Sequence, residues 1–173
     1  MLSVDALHRY SSPKIISFEI AAKHIENYKR LGKTVGLCHG GFDLLHPGHI
    51  THFDSAKKGC DILIVSVTSD QFVGGRKGAG RPVLTETLRA FAIANLQMVD
   101  YVVISDFQKG VEVIALLKPS FYVKGPDYIG KQTPGIISER EAIAAVGGEI
   151  IYTDDPKLST SDIISYIKTE ISE

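Results

Sequence analysis

Short apolar runs alternate with segments of helical period along this chain, and that alternation limits its architecture more than any other feature. Asp61 to Thr68 is a β-branched run bounded by polar residues, which predicts a strand. Thr34 to Cys38, Tyr101 to Ile104, Phe121 to Val123 and Glu149 to Tyr152 read the same way. Between them, Phe18, Ala21, Ile25, Tyr28 and Leu31 recur at helical spacing before Gly32, and Ile50, Phe53 and Ala56 before Gly59. Further helices are expected from Thr85 to about Met98, from Val111 to Leu117, and behind Ser138-Glu139-Arg140-Glu141, which fits a capping box. Ser159-Thr160-Ser161 opens a closing helix that carries Ile163, Ile164 and Ile167. Five strands, each followed by a helix or loop, predict a parallel sheet with helices on both faces.

At 173 residues the chain suits one domain, expected over 17–173, with 1–16 as an N-terminal extension that lacks any period and wanders over the surface. Gly74 to Pro82, basic and glycine-rich, reads as a loop. No internal repeat or linker is visible. With 19 basic against 20 acidic residues, nothing draws the chain toward nucleic acid or an anionic membrane, so any phosphate site must be built locally. Cys38 and Cys60 stand apart, as buried thiols of a reducing compartment do. The start lacks a signal-peptide core, and the longest apolar run, Ile62 to Val65, is far too short to span a bilayer. A cytoplasmic location is expected.

In a parallel sheet of this kind ligands bind at the carboxyl ends of the strands, beside the switch in strand order. The segment Gly40-Gly41-Phe42-Asp43-Leu44-Leu45-His46-Pro47-Gly48-His49 follows the first strand. Gly40 and Gly41 allow backbone to approach a ligand closely, and Pro47 suits the first turn of the next helix. That helix start attracts anions through its free N–H groups and dipole. His46 and His49 then flank one phosphate and neutralise charge developing on it. Zinc on His46, His49 and His52 is a rival, although a residue six positions along a helix points elsewhere. Lys124 follows a buried strand, where a lysine is otherwise out of place. Gly74 to Arg81 lacks the order of a P-loop, and no G-x-G-x-x-G follows the first strand.

The Gly-Gly-Phe-Asp-Leu-Leu-His-Pro-Gly-His segment resembles the G-x-F-D-x-x-H-x-G-H motif of cytidylyltransferase-like nucleotidyltransferases. Lys77-Gly-Ala-Gly-Arg-Pro-Val83, Val123-Lys-Gly-Pro-Asp-Tyr128, Gly147-Gly-Glu149 and Ser159-Thr-Ser161 are similar to segments of the adenylyltransferase domain of bacterial heptose-phosphate enzymes. The resemblance runs from about residue 17 to 168. It departs at His39, where asparagine is usual, at Gly41, where cysteine is usual, and at Val67-Thr68-Ser69-Asp70. It implies a Rossmann-like α/β fold and attack by a phosphate or hydroxyl oxygen on the α-phosphate of a nucleoside triphosphate, with Mg2+ carried on the nucleotide.

Under that resemblance His46, His49, Lys77 and Arg89 are the expected catalytic residues. Gly40, Gly41, Phe42, Gly48, Lys124, Asp127, Ser159, Thr160 and Ser161 join both histidines around the nucleotide. Asp43, Lys77 and Arg81 are expected at the acceptor. Plainer readings exist: Lys77 and Arg81 as solvated loop charges, Arg89 as a surface arginine, Asp127 as a turn residue, and Ser159 to Ser161 as a cap alone. The partners implied are ATP, or CTP, and a small sugar phosphate, with heptose 1-phosphate leading and a homodimer possible. A CTP-dependent polyol-phosphate cytidylyltransferase and a nucleotide-binding regulatory module without catalysis are the alternatives.

Overall fold

The computed structural model describes residues 9–77, 80–156 and 158–171, with Arg76 and Lys77 as backbone only. Five strands form one parallel sheet: β1 (Val35–Gly40), β2 (Ile62–Thr68), β3 (Tyr101–Ser105), β4 (Phe121–Lys124) and β5 (Glu149–Tyr152). Their order is β3-β2-β1-β4-β5. The chain builds outward from β1 to β3, then returns to place β4 on the other side of β1. The switch in order therefore falls between β1 and β4.

The helices are α1 (Phe18–Arg30), α2 (Pro47–Lys58), α3 (Asp70–Lys77), α4 (Glu86–Ala94), α5 (Gly110–Leu117), α6 (Pro134–Ala145) and α7 (Thr160–Tyr166). All seven residues of β2 are buried, as expected for a strand covered on both faces. Alternate residues feed two cores. Val35, Leu37, Ile64 and Tyr122 pack with Ile25 of α1, Ile114 of α5 and Ile143 of α6. Cys38, Leu63, Val65 and Val123 pack with Phe53 of α2 and Ile93 of α4. Burying each such Leu, Ile or Val side chain contributes about 1.5–3 kcal/mol, which makes the two-sided alternation the main source of stability.

Four expectations are corrected. Residues 14–16 do not wander. The Ile16 N–H donates to Val102 O at 2.9 Å, and the Val102 N–H donates to Lys14 O at 2.8 Å. The segment thus covers the exposed edge of β3, and Lys14 Nζ is tied to the carbonyls of Leu96 and Val99. The glycine-rich segment begins as helix, because α3 runs to Lys77 and buries Val73 beneath the turn after β1. The capping box at Ser138 is not one. Helix α6 starts a turn earlier with Thr133 at its cap and Pro134 at its first position, so Ser138 lies inside and donates to Pro134 O at 3.0 Å. Helix α4 ends at Ala94, short of Met98.

Candidate functional site

The turn after β1 is held in a conformation that costs energy. Phe42 (φ 44°) and Leu44 (φ 49°) both occupy the left-handed region, which costs a non-glycine residue about 1–2 kcal/mol. His46 then caps α2, with Pro47 at the first helical position. The rings of His46 and His49 stack, centroids 3.7 Å apart and planes 20° apart. Phe42 meets the His49 ring edge-on at 5.5 Å, and Phe53 backs Phe42 at 5.0 Å. Gly48 permits the stack: a Cβ there would lie 3.0 Å from Leu158 Cβ and 3.1 Å from the His46 ring.

Gly40 and Gly41 let the chain's own side chains pack close to the backbone. A Cβ on Gly40 would meet the Phe42 ring at 3.0 Å, and one on Gly41 would meet Val73 at 3.2 Å. Asp43, expected at the acceptor, is fully buried. Its carboxylate accepts Arg81 Nε–H at 2.7 Å and the backbone N–H groups of Val83 and Leu84. Burial alone would raise its pKa, but those N–H groups and the guanidinium together hold it below the usual carboxylate range. Arg81, the second expected acceptor contact, gives its Nε–H to Asp43, while its buried Nη2 has no hydrogen-bond partner among the described residues. Both residues lock the loop over the turn.

Arg89, expected near the triphosphate, is engaged within the protein. Its side chain is fully buried, and it donates to the carbonyls of Gly41, Thr68 and Leu84 and to Asp70 Oδ1. Its helical context suggests a surface residue, whereas Arg89 is a staple joining the ends of β1 and β2 to the start of α3 and the loop before α4. Thr160 Oγ1–H donates to Asp43 O at 2.6 Å, and Ser159 caps α7 by accepting the Asp162 N–H. Only Ser161 of that trio is exposed. The Lys77 side chain lies outside the described residues.

Two cavities open at the strands' carboxyl ends. One, about 140 Å3, is lined by Gly48, His49, His52, Asp127, Tyr128 and Asp155. His52 turns away from the histidine stack to Thr153 Oγ1, 3.0 Å from its Nδ1. Burial lowers its pKa, so it is neutral at pH 7. The other cavity, about 210 Å3, lies beside His39, Thr68, Lys109, Lys124, Tyr128 and Glu139. Lys124 sits at the end of β4, buried, with Nζ 2.7 Å from Glu139 Oε2. Glu139 and Tyr122 escape a motif reading, but a lysine ending a buried strand calls for a buried carboxylate partner. A larger groove of about 740 Å3 lies between α1 and α5, toward the strands' amino ends and away from these groups.

A cytidylyltransferase-like family model matches residues 37–165. The chain belongs to that family. The expected nucleotidyltransferase class and Rossmann-like fold follow from membership and from the observed sheet. The bifunctional protein HldE of Paramagnetospirillum magneticum is 38% identical over 87% of this chain, and that of Campylobacter fetus subsp. fetus is 40% identical over 90%. In both cases the match spans 31% of the relative's length. The crystal structure of a lipopolysaccharide core biosynthesis protein from Thermoplasma volcanium superposes with a TM-score of 0.60 at 25% identity, covering 73% of this chain and all of that one. A pantoate-beta-alanine ligase from Francisella tularensis shares the fold at 15% identity (TM-score 0.61, 91% of this chain and 77% of that one). No described helix is long and apolar enough to cross a membrane.

Proposed function

We propose that the chain transfers the nucleoside monophosphate of ATP to a sugar phosphate, heptose 1-phosphate first among candidates, and releases pyrophosphate. The stacked His46–His49 pair at the start of α2 carries this reading. It stands at the carboxyl end of β1, beside the switch in strand order, where an α-phosphate would meet both imidazoles and a helix start. An oxygen of the acceptor phosphate attacks the α-phosphorus and forms a new P–O bond. The bond from the α-phosphorus to the α,β-bridging oxygen breaks, and pyrophosphate leaves with the electron pair. The histidines contribute by offsetting charge on the non-bridging oxygens and the leaving group, since such transfers need positioning more than covalent help.

In this reading the nucleoside lies against the cavity of His52, Asp127 and Asp155, where carboxylates suit ribose hydroxyls and a base edge. Among the described residues, no group of three or more His, Cys, Asp or Glu side chains could hold a metal ion. In this reading Mg2+ enters as part of the triphosphate substrate, and no step here runs through it. Two of the residues expected at the site, Arg81 and Arg89, hold the turn and its covering loop in place.

The test is pyrophosphate release with ATP or CTP and a panel of sugar phosphates, with the products resolved by mass. An ADP-sugar formed in preference to a CDP-sugar fits the reading. Nucleotide binding without turnover on any acceptor would leave a regulatory module.

A further inference from the structure

We propose that the 210 Å3 cavity beside His39 is the acceptor site, with Lys124 binding the acceptor's phosphate and Glu139 positioning that lysine. This rests on the nucleotidyl-transfer reading above and moves the acceptor away from Asp43 and Arg81, both locked in the turn.

Place and charge both support the assignment. The ends of β1, β2 and β4 contribute His39, Thr68 and Lys124, so the cavity adjoins the turn after β1 at Gly40 and does not include His52. Tyr128 lines both cavities. Among the described residues, the lining of the nucleoside cavity holds no lysine or arginine, whereas this one has Lys109 and Lys124. It also receives the starts of α5 and α6, capped by Lys109 and Thr133, and both dipoles favour an anion. Thr68, Gln108 and Thr133 offer hydroxyl and amide groups to a polyol.

Lys124 is held with unusual care. Its Nζ lies 2.7 Å from Glu139 Oε2 and 3.4 Å from Tyr122 OH, which leaves one N–H without a hydrogen-bond partner among the described residues. Glu139 Oε1 accepts the Tyr122 O–H at 2.9 Å and the Gly110 N–H at 3.2 Å. A Cβ on Gly110 would lie 2.2 Å from Tyr122 OH, so only glycine admits the network. A buried ion pair seldom stabilises more than the apolar residues that could replace it. Its value here is a cation fixed in place at the mouth of a polar cavity, ready for a second anion.

The experiment titrates heptose 1-phosphate, and separately inorganic phosphate, into the 15N-labelled whole chain holding a non-hydrolysable ATP analogue. Amide shifts should centre on residues 108–110, 124 and 133–139, with inorganic phosphate binding more weakly. Lys109→Ala, an exposed change that leaves the core intact, and Glu139→Gln should each weaken heptose 1-phosphate binding roughly tenfold, with the ATP analogue unaffected. In turnover, Glu139→Gln should raise the KM for the acceptor and leave the KM for ATP unchanged, a split that a merely structural role would not produce. Shifts centred on residues 74–81, inorganic phosphate binding as tightly as the sugar phosphate, or no binding of either probe would overturn the proposal. Absence of pyrophosphate release from the wild type would instead defeat the nucleotidyl-transfer reading, and the binding result is read independently of it.

Discussion

Arg81 Nε–H donates to Asp43 Oδ2 at 2.7 Å, and the same carboxylate accepts the backbone N–H groups of Val83 and Leu84. One residue of the phosphate turn thus holds down the loop that passes over it. Removing the guanidinium leaves a buried carboxylate without its counter-charge. Arg81→Ala should therefore destabilise the fold by about 3 kcal/mol, read from the urea midpoint. Its activity should fall without a selective rise in acceptor KM. A stable variant with only the acceptor KM raised would return Arg81 to the substrate.

Two windows are expected in the pH dependence of stability. Asp43 has its folded pKa held below the unfolded value of about 3.9, so its contribution is complete above that pH and is lost as pH falls through the folded value. His52 has a folded pKa lowered mainly by burial, so its contribution is complete above about 6.5 and is lost as pH falls below it. Urea midpoints between about pH 7.5 and 3 should show both losses. Asp43→Asn should remove the lower one, and His52→Gln the upper.

His46→Ala and His49→Ala should each lower kcat by roughly a hundredfold, the cost of losing one transition-state donor. Thermal unfolding should still be cooperative, because the strands, α2 and the Phe42–Phe53 contact persist in both. Near-wild-type kcat in either variant would remove the histidine pair from the mechanism.

Glycine positions offer a contrast within one chain. Gly110→Ala drives a methyl into Tyr122 OH and Glu139 Oε1, and overpacking of this kind costs about 1–3 kcal/mol. At Gly75, in α3, a methyl group would meet nothing within 4 Å beyond its own helix, and alanine there should stabilise by about 0.5–1 kcal/mol. Melting temperatures that move in opposite directions would bear this out.

Much of the fold is legible because burial writes itself into period. The β2 run and the helix of Phe18, Ala21 and Ile25 need no partner to be recognised. The start of α6 is not, because Ser138-Glu139 imitates a cap, while the true start relies on Thr133 and Pro134 and on tertiary packing. The position of His46 and His49, between a strand end and a helix start, is legible from the glycines before them and Pro47 between them. Arg89, Asp43 and Arg81 are not. A motif displays which charges lie near a phosphate but not which of them face inward, and that depends on contacts made 38 and 48 residues away in sequence. Lys124 stands out as anomalous, yet its partner Glu139 lies on the following helix, α6, beyond the reach of any local pattern.

The Arg89 staple also governs how the turn can fluctuate. Phe42 and Leu44 lean toward relaxation, and what restrains them is a guanidinium engaged at once with Gly41, Thr68, Leu84 and Asp70. Those four bonds reach three stretches of the chain, at Gly41, at Thr68 and Asp70, and at Leu84, so loosening one strains the others. The carboxyl ends of β1 and β2 and the start of α4 should open together as one cooperative unit, and their amides should exchange with solvent at a common, slow rate.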